Sequence, residues 1–262
     1  MFQTGYNTPD AVPTNWGLLC KFLRPIWHLN PAQFGGYKAI LALLNRLFHI
    51  SRMFAHIIAL LIITFARLIT AVRGIWAGVD PVPVQRVYFA NHTSNGDFVL
   101  VWTVLPPRLR NKTRPVAASD YWLTTQLKSF VGKSVFKAVL IDRNPDTRVK
   151  DPVGQMVDAL DGGDSLILFP EGTRNMTDTP LLPFKAGLYH LAQAKPKVEL
   201  VPVWIENLNR VMPKGKLIPI PLVCTVTFGA PIQLGAKESK SDFLGRAHAA
   251  LLALSGGEGH KE

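Results

Sequence analysis

From residue 84 to residue 228 the chain alternates short β-prone runs with helical segments, and this alternation limits the folds open to it. The short β-prone runs are 84–90, 114–118, 138–141, 165–169, 198–205 and 223–228. Helical candidates lie between several of them: 97–105, 121–131, 151–160 and 185–194. Strand and helix in turn predict an α/β fold with a mixed, largely parallel sheet covered by helices. Such sheets place ligands in the loops beyond the carboxyl ends of their strands. A last helix is expected over 241–254, with Phe243, Leu244, Ala247 and Leu251 on its apolar side. Residues 74–83, rich in Gly and Pro, and the connection 213–221 read as loops.

Upstream the pattern differs. Residues 37–72 form the longest helical candidate, and residues 53–66 contain no Lys, Arg, Asp or Glu. Arg46, His49, Arg52 and His56 recur at helical spacing, with Leu43, Leu44, Leu47, Phe48 and Phe54 opposite. A basic amphipathic stretch leading into an all-apolar one predicts an N-terminal membrane-associated helical element, lying in one leaflet or dipping into it. The apolar run is shorter than the about 20 residues a spanning helix needs. A spanning helix and a helix packed on a soluble core are the other two readings. Trp16, Trp27, Tyr37 and Trp76 flank the segment as interfacial aromatics do. Two regions are expected: residues 1–78, helical and membrane-associated, and residues 79–262, the α/β domain.

Composition agrees with a lipid-facing protein. Hydrophobic residues make up 48% of the chain and charged residues 18%, with mean hydropathy +0.15. The net charge of +11 favours anionic partners. Scattered basic residues, without zinc-finger spacing or an RNP-like run, argue against nucleic acid. Cys20 and Cys224 are the only cysteines, which excludes a disulfide framework and fits a reducing compartment. The first residues lack the basic and apolar regions of a cleaved signal peptide, so the cytoplasmic face of the inner or plasma membrane is the expected location.

Two compact motifs fall at strand ends. Asn91-His92-Thr93-Ser94-Asn95-Gly96-Asp97 sets a histidine and a carboxylate five positions apart. Histidine can take a proton from an alcohol as that alcohol attacks, and a carboxylate can fix the imidazole tautomer. Thr93, Ser94 or Asn95 could cap the following helix, and Gly96 permits a close turn. Taken alone, such a pair is more often a loop hydrogen bond. The second motif is Phe169-Pro170-Glu171-Gly172-Thr173-Arg174. There Pro170 stops the strand, Gly172 permits a tight turn, and Arg174 can fork onto a phosphate. Glu171 would repel such a ligand, so it is expected to orient Arg174 or to meet a substrate hydroxyl. Taken alone, this segment too is a polar loop with a structural ion pair. Lys185, Arg143 and the cluster Arg108, Arg110, Lys112 and Arg114 are further cationic candidates. The remaining histidines show no H-E-x-x-H pairing, so a metal site is not expected.

In combination these motifs resemble those of the glycerolipid acyltransferase family, whose best-known members are 1-acylglycerol-3-phosphate acyltransferases. Residues 91–97 look like that family's catalytic motif. Val139-Leu140-Ile141-Asp142-Arg143 is similar to its second block, Phe169 to Arg174 to its third, and Val201-Pro202-Val203 to its fourth. Pro183-Phe184-Lys185-Ala186-Gly187 is another shared element. The resemblance covers roughly residues 84–228. Asn175 stands where the family often has Ser, and Ala118-Ser119-Asp120-Tyr121-Trp122 replaces a frequent Lys-Glu-Leu element.

The resemblance implies an O-acyltransferase of phospholipid biosynthesis. His92 would be the general base on a lysophosphatidic acid hydroxyl, supported by Asp97. The hydroxyl would attack the thioester of acyl-CoA or acyl carrier protein directly. Arg143, Arg174 and Lys185 would hold the acceptor phosphate in a pocket shaped by Glu171, Gly172 and Thr173. An apolar groove near the membrane would take the acyl chain. No cofactor is implied beyond the acyl donor as co-substrate. Other lysolipids, amino-lipids and glycerol 3-phosphate are alternative acceptors. A non-catalytic lipid-binding membrane protein is the reading from another class, and it gives the His–Asp pair no task. A phosphoryl-transfer enzyme would need a nucleotide loop, and no G-x-x-x-x-G-K pattern is present.

Overall fold

In the computed structural model, residues 34–142, 144, 151–206 and 223–256 are described. The chain divides into two compact units, Met1–Arg52 and Met53–Glu262. The division comes earlier than the boundary at residue 78 expected from sequence. It falls inside the first described helix, α1 (Phe34–Thr70).

Seven strands make one sheet. They are β1 (Arg73–Trp76), β2 (Arg86–Ala90), β3 (Thr113–Ala118), β4 (Val139–Ile141), β5 (Ser165–Leu168), β6 (Glu199–Glu206) and β7 (Thr225–Phe228). Their order is β1-β7-β6-β2-β5-β3-β4, and every pair is parallel except β6 with β7. The expected mixed, largely parallel sheet is therefore present. Strand β1 lies in what reads as a Gly- and Pro-rich loop. It is only four residues long and sits at the sheet edge against β7, so it carries almost no alternation of its own.

Among the described residues, the α-helices of the second unit after α1 are α2 (Asp97–Val104), α3 (Pro107–Arg110), α4 (Ser119–Trp122), α5 (Gln126–Phe130), α6 (Pro152–Asp161), α7 (Gly187–Ala194) and α8 (Lys240–Leu252). The single helix expected over 121–131 is instead α4, a break at Leu123–Thr125, and α5, which runs on into a π-helical turn, Val131–Val135. Thr125 takes an extended conformation and its hydroxyl accepts from the Lys128 N–H at 3.2 Å. Threonine competes with the helix in this way, which is why the pattern breaks there.

Strand β2 is buried along its whole length, as a central strand covered on both faces must be. Tyr88 and Ala90 point into one core with Leu100 and Val101 of α2, Leu105 just beyond it, Phe136, and Ala66 of α1. Val87 and Phe89 point into the other, with Leu160 of α6, Leu188 and Leu191 of α7 and Phe243 and Leu251 of α8. The strand's period of two divides its residues between the layers.

Residues 53–70 of α1 serve two surroundings. Ala66 is buried, and Ala59, Ile62, Ile63 and Ile69 pack against the first core. Leu60, Leu61, Phe65 and Leu68 are exposed. The alternatives of membrane helix and core helix are thus not exclusive, since one face packs on protein and the other is apolar and uncovered. By length and composition, Leu41–Thr70 could cross a membrane. The helix ends at Ala71, whose φ of 42° is left-handed and turns the chain into β1.

Candidate active site

Two adjacent parallel strands, β2 and β5, deliver the two motifs to the same edge of the sheet. Phe89 pairs with Leu168, so His92 and Glu171 emerge side by side. Asn91 fixes the exit of β2. Its side-chain amide donates to the Ile205 carbonyl at 3.0 Å and accepts from the Ile205 N–H at 2.7 Å, so it extends the pairing with β6 by a side chain. It is 3% exposed.

His92 follows. Its Nδ1 lies 2.8 Å from Asp97 Oδ2, and its ring stacks on Phe169 at 4.2 Å between centroids. An ionised carboxylate can only accept, so Nδ1 carries the hydrogen and Nε2 keeps a lone pair. Asp97 Oδ2 also accepts from the backbone N–H groups of Thr93 (2.6 Å) and Ser94 (2.8 Å). Oδ1 accepts nothing among the described residues, and the side chain is fully buried. Asp97 opens α2, where the helix dipole favours a negative charge.

The expected caps of this helix are not made by Thr93, Ser94 or Asn95. Gly96 is the N-cap and has no side chain to cap with, while Ser94 Oγ accepts from the Gly96 N–H at 3.3 Å, outside the helix. Gly96 has φ −87°, so its left-handed freedom is not used either. The Asp97 carboxylate gathers the preceding N–H groups instead, because a buried anion needs donors more than a helix end needs a hydroxyl.

Glu171 differs most from expectation. It contacts neither Arg174 nor open solvent. Oε1 accepts from the His92 N–H at 2.7 Å and Oε2 from the Leu182 N–H at 2.9 Å, and the residue is 2% exposed. Glu171 is therefore a brace between three loop segments rather than a substrate contact. Burial pushes its carboxyl pKa up, and the two backbone hydrogen bonds pull against that shift. A second tie is the Asn175 N–H, which donates to the His92 carbonyl at 2.6 Å. The Asn175 side chain accepts from Thr177 N and Oγ1 and donates to the Thr179 carbonyl, closing its own turn. An Asn can do all of this where Ser would have one oxygen, which explains the departure from the family pattern at this position.

Gly172 has φ +68°, and a Cβ there would lie within 2.7 Å of Lys185 Cδ and 2.9 Å of its Nζ. The Lys185 side chain therefore runs across the bare backbone of Gly172. Its own backbone N–H donates to the Pro170 carbonyl at 2.8 Å. Thr173, Arg174 and Lys185 are exposed, and neither cation is in an ion pair among the described residues. Of the expected site residues, the structure brings His92, Asp97, Glu171, Gly172, Arg174 and Lys185 to one sheet edge. Thr173 lies with them without a contact that assigns it a task. Arg143 lies outside the described residues. Phe169, Asn91 and Asn175 act beyond what their sequence positions announce, since ring stacking and backbone ties leave no spacing signal.

Beside the motif loop opens a cavity of about 940 Å³. Leu61, Phe65 and Ile69 of α1, Phe98 and Val99 of α2, and Trp122 form its apolar wall, and Thr93 to Gly96 with Arg174, Asn175 and Thr177 form its polar end. Cys224 is fully buried, and burial together with the Asp97 charge pushes its thiol up to about 11. It stays protonated near neutrality, so it cannot serve as a thiolate nucleophile. Cys20 lies outside the described residues. Among the described residues, no group of three or more His, Cys, Asp or Glu gathers to hold a metal ion.

Among the described residues the site combines a hydrogen-bonded His–Asp pair, an apolar cavity and two cations without an ion-pair partner, a set that can take a proton from a hydroxyl beside an anionic group. Residues 78–206 match the model of the Acyltransferase family. The chain is 33% identical to 1-acyl-sn-glycerol-3-phosphate acyltransferase of Escherichia coli (strain K12) over 140 residues, 48% of this chain and 51% of that protein. It is 35% identical to a protein named Taffazin from Dictyostelium discoideum over 147 residues, 52% of this chain and 50% of the other. The chain spans about half the length of these curated relatives. The fold is also that of a solved structure, the 1-acyl-sn-glycerophosphate acyltransferase of Thermotoga maritima. That match has TM-score 0.59 at 18% identity, covering 93% of this chain and 96% of the other.

Proposed function

We propose that this protein transfers an acyl chain from the thioester of acyl-CoA or acyl carrier protein to the free hydroxyl of lysophosphatidic acid, at a membrane surface. The observation that carries the proposal is the His92–Asp97 pair, with Nδ1 held at 2.8 Å and Nε2 without a hydrogen-bond partner among the described residues. In the proposed reaction Nε2 takes the hydroxyl proton as the oxygen attacks the thioester carbonyl. The new C–O bond forms, the C–S bond breaks, and the imidazolium returns its proton to the departing thiolate. The Asp97 carboxylate holds the ring and stabilises the transient imidazolium. No acyl-enzyme is required, and the buried, protonated Cys224 thiol fits that account.

Arg174 and Lys185 are the proposed phosphate ligands. Both are cations without an intramolecular partner among the described residues, and Arg174 also borders the cavity. Arg143 is proposed to join them. The apolar wall would receive the acyl chain. No cofactor is proposed beyond the acyl donor, and the cytoplasmic face of the membrane is the proposed location.

The test is acyl transfer by purified protein, followed by product mass spectrometry with mixed lysolipids and both donor classes. His92→Ala should lower turnover by about 10²–10⁴ while vesicle binding is retained. Near-normal turnover of that variant would refute the mechanism. The Dictyostelium relative named Taffazin favours a second reading, in which another lysolipid is the acceptor. A product spectrum dominated by that lipid would select it.

A further inference from the structure

Four residues that line the cavity are also large apolar side chains exposed to solvent: Leu61 and Phe65 of α1, Tyr121 of α4 and Met176 beyond Arg174. The rim is therefore apolar and comes from three separate stretches of chain. Leu123, 49% exposed, follows the lining residue Trp122 directly, and Leu127, 69% exposed, lies in the first turn of α5. Neither belongs to a core cluster or to the cavity wall.

The stretch that carries these two leucines is basic, with Asp120 and Asp142 at its two ends. Residues 121–141 include Lys128, Lys133 and Lys137 and no Asp or Glu. Lys128 Nζ lies 4.4 Å from the Tyr121 ring centroid and donates to Thr124 Oγ1 at 3.2 Å, so it is drawn back beside the apolar tip. Lys133 and Lys137 are exposed. Exposed leucines in a stretch that carries three lysines match an anionic bilayer, with leucines among acyl chains and ammonium groups level with phosphates. The same rim is continuous with the uncovered apolar face of α1, through Leu61 and Phe65.

We propose that residues 121–137 are a second lipid-embedded element, distinct from α1, which seats the cavity mouth against the acyl region of an anionic bilayer. The proposal extends the membrane association proposed above and does not depend on which acceptor is used. A lipid substrate would then enter the cavity from the bilayer itself, without crossing water.

The test places an environment-sensitive nitrobenzoxadiazole probe at Leu127→Cys, and separately at Leu123→Cys, in full-length protein carrying Cys20→Ser. Both leucines are exposed, so the fold should tolerate the change. Vesicles of phosphatidylcholine with phosphatidylglycerol are added, and flotation reports binding. The expected result is a blue shift of probe emission and loss of intensity when the lipids carry nitroxides in their acyl chains. Protein that floats with vesicles while its probe stays water-like and unquenched would overturn the proposal. So would failure to float, or a blue shift in the absence of lipid that grows with protein concentration, which would make a second copy the occupant. None of these readouts uses catalysis, so failure here leaves the test of acyl transfer by His92→Ala standing.

Discussion

The backbone N–H of His92 donates to Glu171 Oε1 at 2.7 Å, across 79 positions of sequence. This bond makes the second motif a support for the first. Replacing Glu171 by Gln leaves one oxygen to serve two backbone donors, the N–H groups of His92 and Leu182. An orphaned buried donor costs about 1–3 kcal/mol, and misplacing a catalytic group by 1 Å costs about 10² in rate. Glu171→Gln should therefore lower kcat far more than it raises KM, in steady-state acyl-transfer kinetics.

The same residue sets a pH dependence. The folded pKa of Glu171 is raised by burial, so the native state binds its proton more readily than the unfolded chain does. Its linkage contribution is full below the unfolded carboxyl range and is lost as pH rises through the raised folded value. The stability gap between wild type and Glu171→Gln should narrow as pH rises through that window, measured by thermal unfolding. A gap independent of pH would show that burial does not tune this carboxyl.

Asp97→Asn separates charge from shape. The amide oxygen can replace Oδ2 as acceptor, and the amide nitrogen would take the position of Oδ1, which has no partner among the described residues. Thermal stability should change little while turnover falls by about 10²–10⁴, because the imidazolium loses its counter-charge. A large fall in melting temperature would instead assign Asp97 a structural role.

Asn91→Asp should destabilise the fold itself. A carboxylate cannot donate to the Ile205 carbonyl, and it would face that oxygen at a site 3% exposed. A loss of about 1–3 kcal/mol is expected from chemical denaturation, with the slope of the transition unchanged.

Gly172→Ala meets two obstacles, a left-handed φ of 68° and the Lys185 side chain across its backbone. The backbone alone costs about 1–2 kcal/mol. Displacing Lys185 should in addition raise KM for a phosphorylated acceptor, so kinetics and thermal melting together check this variant.

Arg174→Ala should weaken a phosphorylated acceptor while sparing a lysolipid without that phosphate. Loss of charge-assisted hydrogen bonds of about 1.5–3 kcal/mol corresponds to roughly 10–100-fold in kcat/KM. Equal losses for both acceptors would argue against a phosphate contact.

The sequence by itself determined the layered α/β class, because β2 and β6 are apolar runs that only a sheet covered on both faces can bury. It also determined that His92 and Asp97 stand at a strand exit, since five residues of loop and first turn can bring them together. Strand β1 stayed illegible, being four residues whose pairing comes entirely from β7, some 150 positions away. The sequence left Glu171 looking like a substrate ligand, because its role depends on N–H groups that no spacing reveals. Only the tertiary structure, by placing β2 beside β5, converted that carboxylate into the brace of His92. It likewise decided that α1 is both core and surface. Helical periodicity states which residues share a face, whereas the partner of each face is fixed by what packs against it.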